Sequence, residues 1–161
     1  MVAILLKPTI NNINFKNLTA KAICCGYNYS KEHINELLKM VGLEDCNKKK
    51  VMSFSTGMKQ RLGIALAIMG NPDVIVLDEP LNGLDIQGIS DLRDLIENIN
   101  KEYGTTFLIS SHILEELIKV STDIIIIKEG KVLRNISKEQ MLLEKGDLPI
   151  DRYYLNVVNA N

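Results

Sequence analysis

The sequence predicts an α/β fold, a layered sheet with a mainly helical lobe beside it. Strands and helices alternate between Val74 and Lys128, whereas the stretch from Leu18 to Met52 carries helical and loop signals only. Two carboxylates, Asp78 and Glu79, and one histidine, His112, fall at or just beyond the ends of apolar strands, where open α/β sheets collect ligands. With 161 residues, 46% of them hydrophobic and 24% charged, the chain is long enough to bury a core.

The elements follow from local pattern. Val2 to Leu6 is an apolar run ended by Lys7-Pro8 and reads as a buried strand. Thr9 to Asn17 has no period and reads as loop, and Leu18 to Cys25 opens a short helix. Ser30 caps the next helix, with Ile34, Leu37, Leu38 and Val41 at helical spacing and Gly42 as its stop. Ser55 caps another, in which Met58, Leu62, Ala65, Leu66 and Met69 make one apolar stripe before Gly70-Asn71-Pro72. Val74 to Leu77 is wholly apolar, as in a strand buried on both faces of a parallel sheet. Ile89, Leu92, Ile96 and Ile99 mark a helix, Thr106 to Ser110 a strand, and Leu114, Leu117 and Ile118 a short helix. Ile124 to Lys128 and Lys131 to Arg134 form a hairpin across Glu129-Gly130, and Ser137 with Gln140 makes a capping box for a last helix. Beyond Gly146 the pattern fades. The expected division is 1–53, 54–136 and 137–161.

Composition removes several function classes. A net charge of -1 gives no basic footprint for nucleic acid, and Lys48-Lys49-Lys50 reads as a solvated loop. Cys24, Cys25 and Cys46 are odd in number, with two adjacent, which fits a reducing compartment better than a disulfide framework. His33 and His112 stand apart from any cysteine cluster, so no zinc pattern is present. No apolar run approaches the ~20 residues that span a bilayer. The residues from Met1 to Leu6 lack a basic leader and do not read as a signal peptide. A membrane role is therefore expected to act through a partner.

Three places carry candidate chemistry. Asp78 and Glu79 follow four apolar residues, and adjacent carboxylates there are costly unless water, cations or donors satisfy them. One could hold magnesium while the other deprotonates a water that attacks phosphorus, and a plain helix-capping turn is the alternative. In Phe54-Ser55-Thr56-Gly57-Met58-Lys59-Gln60-Arg61, a hydroxyl and a glycine at a helix start expose N–H groups to a close anion, although simple capping by Ser55 would look the same. His112, taken singly, reads as a surface or capping histidine.

The order FSTGMKQR, VIVLDEP, NGLD and SSH, in one run from Phe54 to His112, resembles the ATP-binding cassette (ABC) family. That resemblance implies a partial P-loop-NTPase-type layered sheet with a helical signature subdomain, and covers about Val2 to Arg134. It makes Ser55, Thr56 and Gly57 the signature that contacts ATP held by another subunit. Asp78 would be the magnesium ligand, Glu79 the catalytic base, Asp85 the D-loop residue and His112 the switch histidine. ATP and Mg2+ are the implied ligands. The implied partners are a second nucleotide-binding subunit in a head-to-tail dimer and membrane-spanning transporter subunits, at the cytoplasmic face of the membrane. MKQRLGIALAIMGNP, with NLTA at Asn17 to Ala20, looks most like the bacitracin- and lantibiotic-exporter branch.

Two departures accompany the resemblance. No G-x-x-x-x-G-K-[ST] occurs, and the single Gly-Lys pair, Gly130-Lys131, falls in the expected hairpin turn. The family places that phosphate loop ahead of the segment at which this chain begins, so the chain alone is expected to turn over little ATP, or to act as an interaction module or a fragment without independent activity. Leu6 and Lys7 stand where the family usually has Gln or Glu, and Thr56 where glycine is common.

Overall fold

The computed structural model describes residues 30–46 and 49–160. The strand at Val2 to Leu6, the loop at Thr9 to Asn17 and the helix at Leu18 to Cys25 lie outside them. The chain divides into two compact units between Ser110 and Ser111.

In the first unit, α1 (Lys31–Met40) starts where the Ser30 hydroxyl accepts the His33 N–H at 3.3 Å, and it buries Ile34 and Leu38. The chain leaves it through Gly42 at φ +66°. Next comes α2 (Thr56–Ile68), capped by Ser55, whose hydroxyl accepts the Met58 N–H at 3.3 Å. Its buried arc is wider than the expected stripe. Ile64 and Ile68 are buried with Leu62, Ala65 and Met69, while Met58 and Leu66 are only half-buried. The reason is that α2 packs against α1 and against α3 (Ile86–Tyr103), so it has neighbours on more than one side. Asp85 caps α3 by accepting the Gly88 N–H at 2.8 Å, Gly104 ends it at φ +67°, and Leu92, Leu95, Ile96 and Ile99 point inward.

The strands β1 (Val74–Asp78) and β2 (Thr106–Ser110) flank α3 in sequence and pair in parallel, from Val74 opposite Thr106 to Asp78 opposite Ser110. Such a pair requires a crossover, which α3 supplies. The expectation that β1 is buried on both faces is corrected. Ile75 is 4% exposed, but Val74 is 56% and Val76 46% exposed. Successive strand side chains alternate between faces, and the described residues cover one face only.

The second unit holds α4 (Leu114–Val120), a hairpin of β3 (Asp123–Lys128) and β4 (Lys131–Ser137), then α5 (Lys138–Lys145) and α6 (Ile150–Asn159). Glu129 and Gly130 both take positive φ, 50° and 77°, as a two-residue turn that matches strand twist requires. The capping box is half-formed. Ser137 accepts the Gln140 N–H at 3.2 Å, but the Gln140 carboxamide reaches forward to Glu144 at 3.5 Å instead of back to Ser137. The helix α6 falls where no element was expected. It lacks a side-chain cap, yet Ile150, Tyr153, Tyr154 and Val157 recur at i, i+3, i+4 and i+7, the signal that identifies it. Ile126, Ile136, Met141, Ile150 and Tyr153 form this unit's core.

Candidate functional site

The end of β1 is organised by Ser110, the last residue of β2 and the partner of Asp78 in register. Its hydroxyl donates to Asp78 Oδ1 at 2.7 Å and accepts the Glu79 N–H at 3.0 Å, while its carbonyl accepts the same N–H at 3.1 Å. Glu79 then adopts φ +49°, a left-handed conformation that side chains disfavour. The backbone thus turns immediately after the strand, and a further hydrogen bond from Asn82 N–H to the Glu79 carbonyl, at 3.2 Å, holds the turn. Pro80 and Leu81 are buried beneath it, Asp78 is exposed and Glu79 is half-buried. Ser110 opens the SSH run, but the sequence pattern gave it no role of its own. A hydroxyl at a strand's last position, facing a carboxylate on the next strand, is visible only once the register is known.

The start of α2 lies against the same loop. A Cβ on Gly57 would come within 3.5 Å of Leu84 Cδ2, and one on Gly83, at φ +73°, within 3.4 Å of Thr56 Cγ2. Gly83 therefore supplies both a backbone conformation that other residues resist and a close approach to Thr56. Ser55 and Thr56 are exposed, and Gly57 is half-buried. Ser55 does cap the helix, and this does not exhaust it, because a hydroxyl that accepts from Met58 retains a proton to donate. The amides of Thr56 and Gly57 lie in the first turn, where helix geometry offers no carbonyl partner and the dipole favours an anion.

Ser55 to Gly57, the loop Gly83 to Asp85, and the Asp78–Glu79–Ser110 cluster thus belong to one unit. His112 belongs to the other, two residues after Ser110 in the chain; it is exposed and precedes α4. Among the described residues no group of three or more His, Cys, Asp or Glu side chains could hold a metal ion. An exposed carboxylate braced by a hydroxyl is nonetheless a donor set that fits magnesium, which takes one or two protein oxygens and completes its shell with water and phosphate. No helix of the described residues is long and apolar enough to cross a membrane.

Comparison with known proteins adds an independent line. Residues 6–82 match the family described as ABC transporter. The chain is 46% identical over 134 residues to the uncharacterized ABC transporter ATP-binding protein YcbN of Bacillus subtilis, covering 80% of this chain and 44% of that protein. It is 47% identical over 121 residues to the bacitracin transport ATP-binding protein BcrA of Bacillus licheniformis, covering 75% of this chain and 39% of that one. With the lantibiotic transport ATP-binding protein SrtF of Streptococcus pyogenes it shares 45% identity over 123 residues, 74% of this chain and 53% of the relative. The chain therefore spans about half or less of these relatives' length. Among solved structures, cbiO1 of Clostridium perfringens, part of the ABC transporter complex cbiONQ, superposes with a TM-score of 0.72 at 26% identity, over 83% of this chain and 55% of that one. The ATP-binding cassette MJ1267 in its ADP conformation matches in fold, with a TM-score of 0.73 at 22% identity, over 92% of this chain and 64% of that one.

Proposed function

Because this chain is a homologue of ABC transporter ATP-binding subunits, we propose that it presents a nucleotide-facing edge to a second nucleotide-binding subunit in an exporter. The observation that carries this reading is the Ser55-capped start of α2 packed on the Gly83-to-Asp85 loop. In this role Ser55 donates its hydroxyl proton to a phosphate oxygen, and the Thr56 and Gly57 amides add two further donors at the positive end of the helix. Asp85 shapes the neighbouring surface by fixing the start of α3. The partner subunit, in a head-to-tail dimer, would hold ATP in its own phosphate loop.

In the same reading Asp78 is the carboxylate for magnesium, which when bound offsets charge on the phosphates. Glu79 accepts a proton from the attacking water, and the Ser110 bonds hold its backbone in the turn that follows the strand. His112 is the switch histidine that responds to the terminal phosphate. Exporter-type transport is supported by the bacitracin and lantibiotic relatives, and membrane-spanning subunits at the cytoplasmic face are the corresponding partners. No role in binding nucleic acid belongs to this reading.

The test is mixing. Added to an intact ABC exporter ATPase, the chain should form an ATP-dependent complex by light scattering and change that enzyme's turnover, and Ser55→Ala should lower the effect. No complex together with unchanged turnover would remove the proposal. The 161-residue sequence contains no G-x-x-x-x-G-K-[ST], and phosphoryl transfer rests on positioning that such a loop supplies, so the chain by itself should show negligible hydrolysis. A robust rate abolished by Glu79→Gln would overturn that expectation. Within a complete domain, the same substitution should slow hydrolysis by about 100-fold or more, the scale of a lost general base.

A further inference from the structure

Arg61 in α2 forms an ion pair with Asp91 in α3. Ser55 and Arg61 are six positions apart, as are Asp85 and Asp91. The pair therefore sits at matched depth in both helices, about 9 Å beyond the two capping residues at ~1.5 Å rise per residue. Both oxygens of Asp91 are engaged, Oδ2 by Arg61 and Oδ1 by the Gln87 carboxamide, which donates at 2.6 Å. The Gln87 bond, the largest effect, holds the Asp91 carboxyl below its ordinary range; burial opposes it, and the bond and charge of Arg61 add to the lowering. Arg61 also lies beside a third segment, its Nη1 3.2 Å from where a Cβ on Gly42 would be, at the exit of α1. A lysine would offer Asp91 a single ammonium in place of the planar fork.

Between the two capping turns, Leu84 Cδ2 and Thr56 Cγ2 border the glycines opposite, at ordinary van der Waals distance from where a Cβ on Gly57 or Gly83 would be, an apolar approach that carries no directional bond. The apolar residues next in sequence, Leu62 and Leu92, are buried, and the burial of apolar surface is non-directional.

We propose that Arg61 is a positioning residue for the nucleotide edge: paired with Asp91, it fixes how far α2 lies along α3, and so how the Ser55-to-Gly57 turn sits on the Gly83-to-Asp85 loop. The functional half of this statement rests on the reading of that edge as nucleotide-facing; the positional half stands on the geometry alone.

Hydrogen exchange of the full chain, followed by mass spectrometry, tests the positional half. Arg61→Met keeps an apolar stem and removes the charge, and should speed exchange at residues 55–58 and 83–88 together by about twofold, the scale of one partly exposed pair. Residues 106–110 should keep their protection. Arg61→Lys should recover part of it, and Arg61→Asp combined with Asp91→Arg most of it. An even rise over the whole unit, or a rise at 55–58 with none at 83–88, would overturn the proposal, since either marks a merely structural bond. In the mixture with an intact ABC exporter ATPase, Arg61→Met should raise the ATP concentration for half-maximal effect more than it lowers the saturating rate. Failure of the unsubstituted chain to affect that enzyme would count against the nucleotide-facing edge, while the exchange pattern decides the role of Arg61 separately.

Discussion

The helical side of the first unit and its strand pair both carry large apolar side chains, and expose them to opposite degrees. Ile34, Leu62, Leu92 and Ile99 are 1–2% exposed, whereas Val74, Val76 and Leu108 are 46–56% exposed. The second unit repeats the contrast. Ile126 and Ile136 are buried in its core, while Ile125, Ile127 and Val132 on the same hairpin are 47–63% exposed. The difference is one of neighbours. A helix needs one apolar stripe covered, whereas a strand pair presents two faces, and the described residues supply a layer for only one of them.

The sharpest way to break this comparison is to truncate one residue on each side of it. Leu62→Ala should cost about 2–5 kcal/mol, because the side chain is buried and its truncation removes packed apolar surface and leaves a cavity. Val76→Ala should cost under about 1 kcal/mol, since half of the side chain already meets solvent. Urea unfolding checks both. Equal costs would show the outer face of β1 to be covered in the folded protein, and the contrast would fall. An intermediate effect belongs to the second unit. The buried Tyr153 donates its hydroxyl to Glu144 Oε2 at 2.9 Å, and Arg134 pairs with the same carboxylate. Tyr153→Phe should therefore cost about 1 kcal/mol, the net worth of one such bond, with Glu144 still held by Arg134. A loss as large as that at Leu62 would make the polar cluster, and not the apolar core, the main support of this unit.

These contrasts also mark what the sequence could and could not disclose. Helix starts were legible because a cap is a local signal, and Ser30, Ser55 and Ser137 each accept the N–H three residues on. The run of motifs from Phe54 to His112 could be picked out because it pairs particular residue types with fixed spacing. The one-sided burial of Val74 to Leu77 was not, because a continuous apolar run is the same whether one face or both are covered. Ser110 against Asp78, and Arg61 against Asp91, are separated by about thirty residues, and their meeting depends on strand register and helix packing that no local pattern encodes. The helix α6 differs in kind. Its periodicity was present, and the missing side-chain cap at Pro149 concealed its start.

The smallest expected effect sharpens the comparison most finely, because it asks what an exposed polar bond adds to a helical side already held by its core. Asp91 ionises below the ordinary carboxylate range in the folded protein, through its bonds from Gln87 and Arg61, and near that range once unfolded. A lowered folded value means that the contribution is present at neutral pH and is lost as pH falls through the folded value, where the carboxyl is protonated in both states. The Asp91 side chain is 37% exposed, so solvent screening limits this contribution to a few tenths of a kcal/mol, roughly. Asp91→Asn should accordingly be slightly less stable than the unsubstituted chain at neutral pH, and the gap should close as pH falls through and below the ordinary carboxylate range. A gap that stays constant with pH would mean that shape and hydrogen bonding, not charge, join α2 to α3. The core of the helical side would then fix its own register, and the exchange experiment on Arg61 should find the two capping turns unaffected.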